Sequence, residues 1–300
     1  MHEMAYRFGL LGYPLTYSLS PFIHQIFLES CGLQGSYELI PIAVDSQAGA
    51  RLQSVLQKMR RGVYDGFNVT IPHKQMVQPW LDVLDEKARA VGAVNTIYRS
   101  GEVLIGTNTD VEGFLFDIGQ KLSLTEGGIV LILGAGGAAR AVAWGLLSNG
   151  WQVWIAARRV EQAEQILRHF SGQDTNRMDV SSRMRAFSLQ DGLDAIVKEA
   201  ANLRMVVNAT PLGTKGLEEG SPLPPNLQLP KSVFFYDLVY NPPETAFLRS
   251  AREHGNRAWN GLGMLLWQAA LAFECWTGAK VSITPEIEAK LTSRIRTNED

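Results

Sequence analysis

The stretch 129–140 constrains the fold of this chain more than any other. Ile129-Val130-Leu131-Ile132-Leu133 is a short apolar, β-branched run, the pattern of a strand buried on both faces. It ends in Gly134-Ala135-Gly136-Gly137-Ala138-Ala139-Arg140, and residues 138–147 then carry apolar side chains at helical spacing. Strand, glycine turn and helix in this order are the setting in which such glycines cradle a phosphate. Gly134 suits the tight turn, and Gly136 removes the Cβ that would keep a pyrophosphate off the backbone. Ala139 is small enough for the helix to pack closely on the strand. The pyrophosphate would face free N–H groups and the positive end of the helix dipole.

Taken alone, the glycines also fit a plain tight turn or the loop of an S-adenosylmethionine-binding domain. The next strand separates these readings. Gln152-Val153-Trp154-Ile155-Ala156 lies about 20 residues on, where NAD-binding domains place a carboxylate on the ribose. Here the strand runs out in Ala157-Arg158-Arg159, and the acid that a methyltransferase would also want is missing. Two planar guanidiniums suit a 2′-phosphate, so the pattern predicts NADP. A solvated strand end is the plainer reading of the same two arginines.

Three hundred residues predict two domains, and 46% apolar with 19% charged residues is an ordinary globular balance. A net charge of −2 leaves no electrostatic footprint for nucleic acid or an anionic membrane. Cys31 and Cys275 are the only cysteines and argue for a reducing compartment. The five histidines show no metal-ligand spacing, so no metal is expected. Phe8-Gly9-Leu10-Leu11-Gly12 is too short for the apolar part of a signal peptide, and no apolar run reaches membrane-spanning length. A cytoplasmic protein acting on a small molecule, with no nucleic-acid or membrane partner, is the expectation.

Before the glycine turn the chain reads as a first α/β domain. Strands are predicted over 6–12, 37–44 and 64–70, with a hairpin of 94–99 and 102–105 turning at Ser100-Gly101. Helices are predicted over 22–28, with Ser20 as N-cap before Pro21, then over 47–60, beyond Lys74, and over 85–91. Thr109 and Glu112 are spaced as a capping box for a helix over 111–122. Later strands fall at 184–188, 205–209 and 233–238, and helices at 160–170, 193–201 and 245–254. Residues 213–230 are rich in Gly and Pro and read as a loop. The apolar stretch 264–276 predicts a buried helix returning to the first domain, and 285–296 an amphipathic one. The fold expected is therefore two α/β domains flanking an active-site cleft. Residues 1–109, joined by the helices of about 264–300, form a substrate domain, and 110–263 a Rossmann-type domain.

Polar residues cluster in loops before helices. Ser18 and Ser20 are two apart and face one side of an extended segment; Asn68 and Thr70 repeat that spacing at a strand's C-terminal end, where open α/β sheets gather ligands. Lys74 follows just beyond Pro72, and Asn95 and Asp110 lie near the end of the domain. Each has a plainer reading. Ser20 serves as a helix cap, Lys74 as a surface lysine despite the dipole that disfavours a first-turn cation, and Asp110 as a first-turn acid.

In combination the motifs say more. Ser18-x-Ser20, Asn68-x-Thr70-x-Pro72-x-Lys74, Gly92-Ala93-Val94-Asn95-Thr96 and Gly106-x-Asn108-Thr109-Asp110 precede the glycine turn. Asn208-Ala209-Thr210-Pro211, Tyr236-Asp237-x-x-Tyr240 and Gly261-x-x-Met264-x-x-x-Gln268 follow it. This set, in this order from first strand to last long helix, resembles the shikimate dehydrogenases. The resemblance implies that Ser18, Ser20, Asn68, Thr70, Lys74, Asn95, Asp110, Tyr240 and Gln268 bind substrate, with Lys74 and Asp110 the catalytic pair. It implies cofactor contacts at Gly134, Ala135, Gly136, Gly137, Ala138 and Arg158, with Leu238 and Gly261 near the nicotinamide and a weaker contact at Glu86. Arg159 joins them on charge alone.

The implied activity is reversible, NADP-dependent reduction of 3-dehydroshikimate to shikimate, a step of chorismate and aromatic amino acid biosynthesis, by a monomer or homodimer. Such a reduction needs a proton at the forming alkoxide, which an ammonium at Lys74 both donates and stabilises. Two departures stand out. The family's usual Asn-Arg-Thr is Ala157-Arg158-Arg159 here, and Asn260 replaces the Asp of many relatives. The alternatives are a quinate/shikimate dehydrogenase using NAD as readily, and a non-catalytic NADP(H)-sensing protein. Retention of Lys74 and Asp110 disfavours the sensor, because binding alone needs no proton donor.

Overall fold

Two six-stranded sheets organise the chain, and their central strands are apolar runs buried on both faces. The computed structural model describes residues 5–172, 180–189, 193, 198, 202–217, 219–224, 227 and 229–297. They fall into two units: the chain up to Gly113 with Leu265–Ser293, and Phe114–Met264 with the chain from Arg294.

The first unit comprises β1 (Tyr6–Gly12), α1 (Ser20–Ser30), β2 (Gly35–Pro41), α2 (Ala48–Arg60), β3 (Gly66–Val69), β4 (Val83–Leu84), α3 (Glu86–Val91), β5 (Thr96–Ser100) and β6 (Val103–Thr107). Its sheet runs β2-β1-β3-β5-β6-β4. β1 pairs in parallel with β2 and β3, whereas β5 lies antiparallel to β3 and β6. Leu11, Phe67, Val69, Ile97 and Leu104 of the sheet pack with Leu52, Leu56 and Met59 of α2. Full burial of such side chains contributes roughly 1.5–3 kcal/mol each.

A second, aromatic cluster holds Phe8, His24, Phe27, Phe273 and Trp276. The last two lie on a later helix, Leu262–Thr277. Trp276 Nε1 donates to the Ile97 carbonyl at 3.0 Å, and its indole occupies the space that a Cβ at Gly66 would need.

His24 is fully buried, stacked on Tyr37 at 4.4 Å, and both ring nitrogens lack a hydrogen-bond partner. Burial pushes its pKa from 6.5 down to about 3, offset only in part by the nearby Asn68 side chain. The folded form thus keeps His24 neutral where the unfolded chain protonates it. Stability is fully present above about pH 6.5 and is lost as pH falls towards 3. At pH 4.5 the cost is about 3 kcal/mol. His24→Phe should therefore gain stability over wild type at pH 4.5 relative to pH 8 in denaturant titrations. An equal difference at both pH values would refute the linkage.

The second unit comprises β7 (Ile129–Leu133), α5 (Gly137–Ser148), β8 (Gln152–Ala157), α6 (Val160–Ser171), α7 (Val180–Arg183), β9 (Met184–Ser188), β10 (Leu203–Asn208), β11 (Phe234–Asp237), α8 (Ala246–Glu253) and β12 (Arg257–Asn260). α4 (Asp110–Gly119) and α9 (Leu262–Thr277) carry the chain between the units, and α10 (Pro285–Thr297) ends it. The second sheet, β12-β11-β10-β7-β8-β9, is parallel throughout. Val130, Ile132, Val153 and Ile155 belong to one apolar cluster, and Ile129, Leu131, Leu133 and Trp154 to another. Alternate residues thus serve the two faces of a sheet that helices cover on both sides.

Several local expectations are corrected. α1 begins at Ser20, with Leu19 rather than Ser20 at the N-cap; Ser18 Oγ accepts the Ser20 N–H at 3.3 Å instead. Beyond Lys74 there are turns and a short 3-10 helix, Gln78–Trp80, in place of an α-helix. Thr109 does not cap α4, because its hydroxyl meets Asn95 and Thr96; Asn108 Oδ1 takes the Asp110 N–H at 3.1 Å. β4 and β12 are strands that periodicity misses: one has two residues, and the other buries only Ala258 fully. Most of the helix expected over 193–201 lies outside the described residues.

Candidate active site

The first sheet delivers its polar loops to one edge. β1 and β3 are parallel and end there, antiparallel β5 starts there with Thr96 opposite Asn68, and β6 ends there with Thr107 opposite Thr96. Ser18 and Ser20 follow β1, Thr70 and Lys74 follow β3, Asn95 precedes β5, and Asp110 follows β6.

The centre is an ion pair. Lys74 Nζ donates to Asp110 Oδ2 at 2.5 Å, with side chains only 12% and 6% exposed. Asn95 Nδ2 donates to Asp110 Oδ1 at 2.8 Å, to Thr109 Oγ1 at 2.9 Å and, more distantly, to Gln268 Oε1 at 3.4 Å. Asn95 Oδ1 accepts from the Thr109 N–H at 2.8 Å and from the Thr96 hydroxyl at 3.1 Å. Asn68 Nδ2 reaches the Asn95 carbonyl and Thr96 Oγ1, while its Oδ1 accepts from Tyr37 Oη at 2.8 Å. A buried pair persists only when its remaining lone pairs are satisfied, and these amides and hydroxyls satisfy them. The ammonium has three donors, and Asp110 takes one among the described residues. A fixed cation with protons to spare, held by a carboxylate, can protonate an oxyanion and stabilise it.

Hydrogen bonds thus join Asn68, Lys74, Asn95, Asp110 and Gln268. Thr70 lies on the same edge, its methyl against Gly12, and Ser18 and buried Ser20 lie beyond β1. Tyr240 belongs to the second unit, half-buried after β11. Glu86, exposed in the first turn of α3, is in the first unit and outside this network. Thr96, Thr109 and Tyr37 have site-building roles the sequence reading did not assign. The two threonines sit inside quoted motifs, whereas Tyr37 carries no local signal.

In the second unit, Gly134 has φ +105° and a Cβ there would stand 3.0 Å from the Ala209 carbonyl. Only glycine takes that backbone conformation without strain. Gly136 is the N-cap of α5 and offers no side-chain cap; nothing lies within 4 Å of a Cβ built on it. Ala135 lies in the turn, and Gly137 and Ala138 open α5. Arg158 and Arg159 are exposed just past the C-terminal end of β8. The Leu238 N–H donates to the Asn208 carbonyl, and Gly261 is needed because a Cβ there would come within 2.6 Å of the Leu238 carbonyl. Behind them, Asp237 accepts from Asn208 Nδ2, the Val239 N–H and Thr245 Oγ1. Burial still raises its pKa to about 7, those hydrogen bonds opposing.

Numbered by first appearance, the second sheet has the order 3-2-1-4-5-6, and the bare glycine turn lies at its switch point between β7 and β10. Sheet and turn define a Rossmann-type dinucleotide-binding protein, here with a further α/β unit built around a buried lysine–aspartate pair. Residues 10–97 match the shikimate dehydrogenase substrate binding domain, and residues 261–288 the shikimate 5′-dehydrogenase C-terminal domain. A relative named shikimate dehydrogenase (NADP(+)) from Carboxydothermus hydrogenoformans is 38% identical over 270 residues, 90% of this chain and 91% of its own. Another of that name from Thermus thermophilus is 39% identical over 277 residues, 91% of this chain and 92% of its own. The crystal structure of a Thermus thermophilus shikimate 5-dehydrogenase in complex with NADP(H) and shikimate has a TM-score of 0.79 and 37% identity, covering 97% of this chain and 99% of that one. The chain belongs to the shikimate dehydrogenase family. Among the described residues no helix is long and apolar enough to cross a membrane.

Proposed function

We propose that this chain catalyses the reversible NADP-dependent reduction of 3-dehydroshikimate to shikimate, the first unit binding the substrate and the second the cofactor. The observation that carries the reading is the shielded Lys74–Asp110 pair at the edge of the first sheet. Lys74 Nζ gives its proton to the alkoxide forming at the ring ketone and takes it back in the reverse direction. Asp110 fixes the ammonium and accepts from a ring hydroxyl, and Asn95 fixes Asp110. Ser18, Ser20, Asn68, Thr70, Gln268 and Tyr240 supply hydroxyl and amide partners for a polyhydroxy acid.

The open face at Gly136, the uncapped N-terminus of α5 and the arginines after β8 fit a dinucleotide carrying a 2′-phosphate. When bound, that cofactor supplies the hydride. Leu238 and Gly261 would lie at its nicotinamide end, and Glu86 would make a lesser contact. Cys31 and Cys275 are free thiols, which agrees with a cytoplasmic site of action.

Rates of oxidation of shikimate and quinate with NADP and with NAD test the reading. Shikimate with NADP should be the preferred pair. Equal efficiency with NAD, or preference for quinate, would favour a quinate/shikimate dehydrogenase, and no turnover would favour a sensor. Arg158→Ala should raise the Michaelis constant for NADP by tenfold or more and leave that for NAD nearly unchanged, because only NADP carries the phosphate. Arg159→Ala should do less. A parallel loss with both cofactors would remove Arg158 from the phosphate.

A further inference from the structure

Arg140 is a buried cation at the N-terminal end of α5. It lies in the first turn of a twelve-residue helix and is only 6% exposed. Its Nε has no partner, and among the described residues no carboxylate or carbonyl pairs with the guanidinium. The position is unfavourable twice over. A buried charge without a counter-charge is costly, and the positive end of a helix dipole disfavours a cation. An anion would remove both costs.

The surroundings indicate where that anion would sit. Helical side chains lean towards the N-terminus, so Arg140 leans over the turn that precedes it. Its N–H donates to the Gly136 carbonyl, so Gly136 lies one turn earlier. Gly136 and Gly137 carry no side chains, and the space over Gly136 is open. Burial also lowers the pKa of Arg140, with no acidic partner acting in the other direction.

We propose that Arg140 is a cofactor-binding residue whose guanidinium, with the free N–H groups of α5, binds the pyrophosphate of the dinucleotide. This inference rests on the proposed NADP-dependent activity, and it divides recognition in two. Arg140 reads the charge that NAD and NADP share, and Arg158 the phosphate that only NADP carries.

Equilibrium titrations of wild type, Arg140→Met and Arg158→Ala with NADP, NAD and 2′-AMP at one ionic strength test it, alongside thermal melts without nucleotide. The probe 2′-AMP has the 2′-phosphate but no pyrophosphate. Arg140→Met should weaken NADP and NAD by the same factor, about 10- to 100-fold, and leave 2′-AMP within twofold. Its melting temperature without nucleotide should equal or exceed that of wild type, since an uncompensated buried charge is gone. Arg158→Ala should show the complement, weakening NADP and 2′-AMP while sparing NAD. Unchanged dinucleotide binding by Arg140→Met would overturn the inference alone. So would a lower melting temperature with equal losses for all three nucleotides, the mark of a structural role. Failure of wild type to bind either dinucleotide would instead overturn the activity and this inference with it.

Discussion

Lys74→Met should lower turnover by about 10²- to 10⁴-fold, the usual contribution of a positioned proton donor. Methionine keeps the unbranched, apolar stem, ending where the lysine Cε lies, and removes both the proton and the charge. Lys74 Nζ is the cation that the Asp110 carboxylate holds, at 2.5 Å, in a network that excludes most solvent. Water entering that space would be a weaker acid with no fixed orientation. NADP affinity should stay within about twofold, because the glycine turn and Arg158 are untouched. Asp110→Asn leaves Lys74 without its counter-charge, and Lys74→Met/Asp110→Asn should be hardly slower than Lys74→Met. Residues acting as a unit are not additive in rate. Near-wild-type turnover of Lys74→Met at saturating shikimate would refute the acid–base assignment, and additive losses would refute the pairing.

Gly263→Ala should destabilise the protein by about 3 kcal/mol or more, a fall of roughly 5–10 °C in melting temperature for a chain of this size. Gly263 lies in the first turn of α9, and a Cβ there would fall inside the van der Waals envelope of the Asp117 carboxylate. That carboxylate is buried and cannot easily move away. It accepts from Tyr236 Oη at 2.6 Å and pairs with Lys121, four residues on along the chain. The Tyr236 phenol is held well above its usual range by burial and by this acid, so it remains a donor throughout the neutral range. Displacing Asp117 would orphan a phenol and an ammonium together. Adding Asp117→Ala to Gly263→Ala should therefore cost much less than the sum of the two single changes. A Gly263→Ala protein that melts within a degree of wild type would show that the turn relaxes freely.

What the sequence discloses depends on how local the cause is. β7 is legible because a strand buried on both faces must be apolar at every position, and Ile129-Val130-Leu131-Ile132-Leu133 has no other economical reading; β8 follows the same rule after its exposed Gln152. The glycine turn is legible because Gly134 answers a local backbone demand. Lys74 and Asp110 stand out only as members of a motif set, since nothing within four residues of either predicts a contact 36 residues away. Ser20 and Thr109 mislead for the opposite reason. Their neighbours fit a cap, yet Ser18 takes the Ser20 N–H, and Asn95 and Thr96 take the Thr109 hydroxyl. Arg140 is invisible in sequence, where an arginine on an alanine-rich helix looks like solubility. Only its burial without a partner gives it meaning.

The split of the first unit has a consequence for how the chain comes off the ribosome. Its aromatic cluster needs Phe273 and Trp276, which are made only after Phe114–Met264. At about 5–20 residues per second, roughly 150 intervening residues take on the order of ten seconds to emerge. Through that interval Phe8 and Phe27 lack Phe273 and Trp276, while every strand of the second sheet, all within Phe114–Met264, is already made. The unit begun first thus completes its core only after the second sheet has been made. Its unfinished aromatic face is the part of the nascent chain that a chaperone would have most reason to hold.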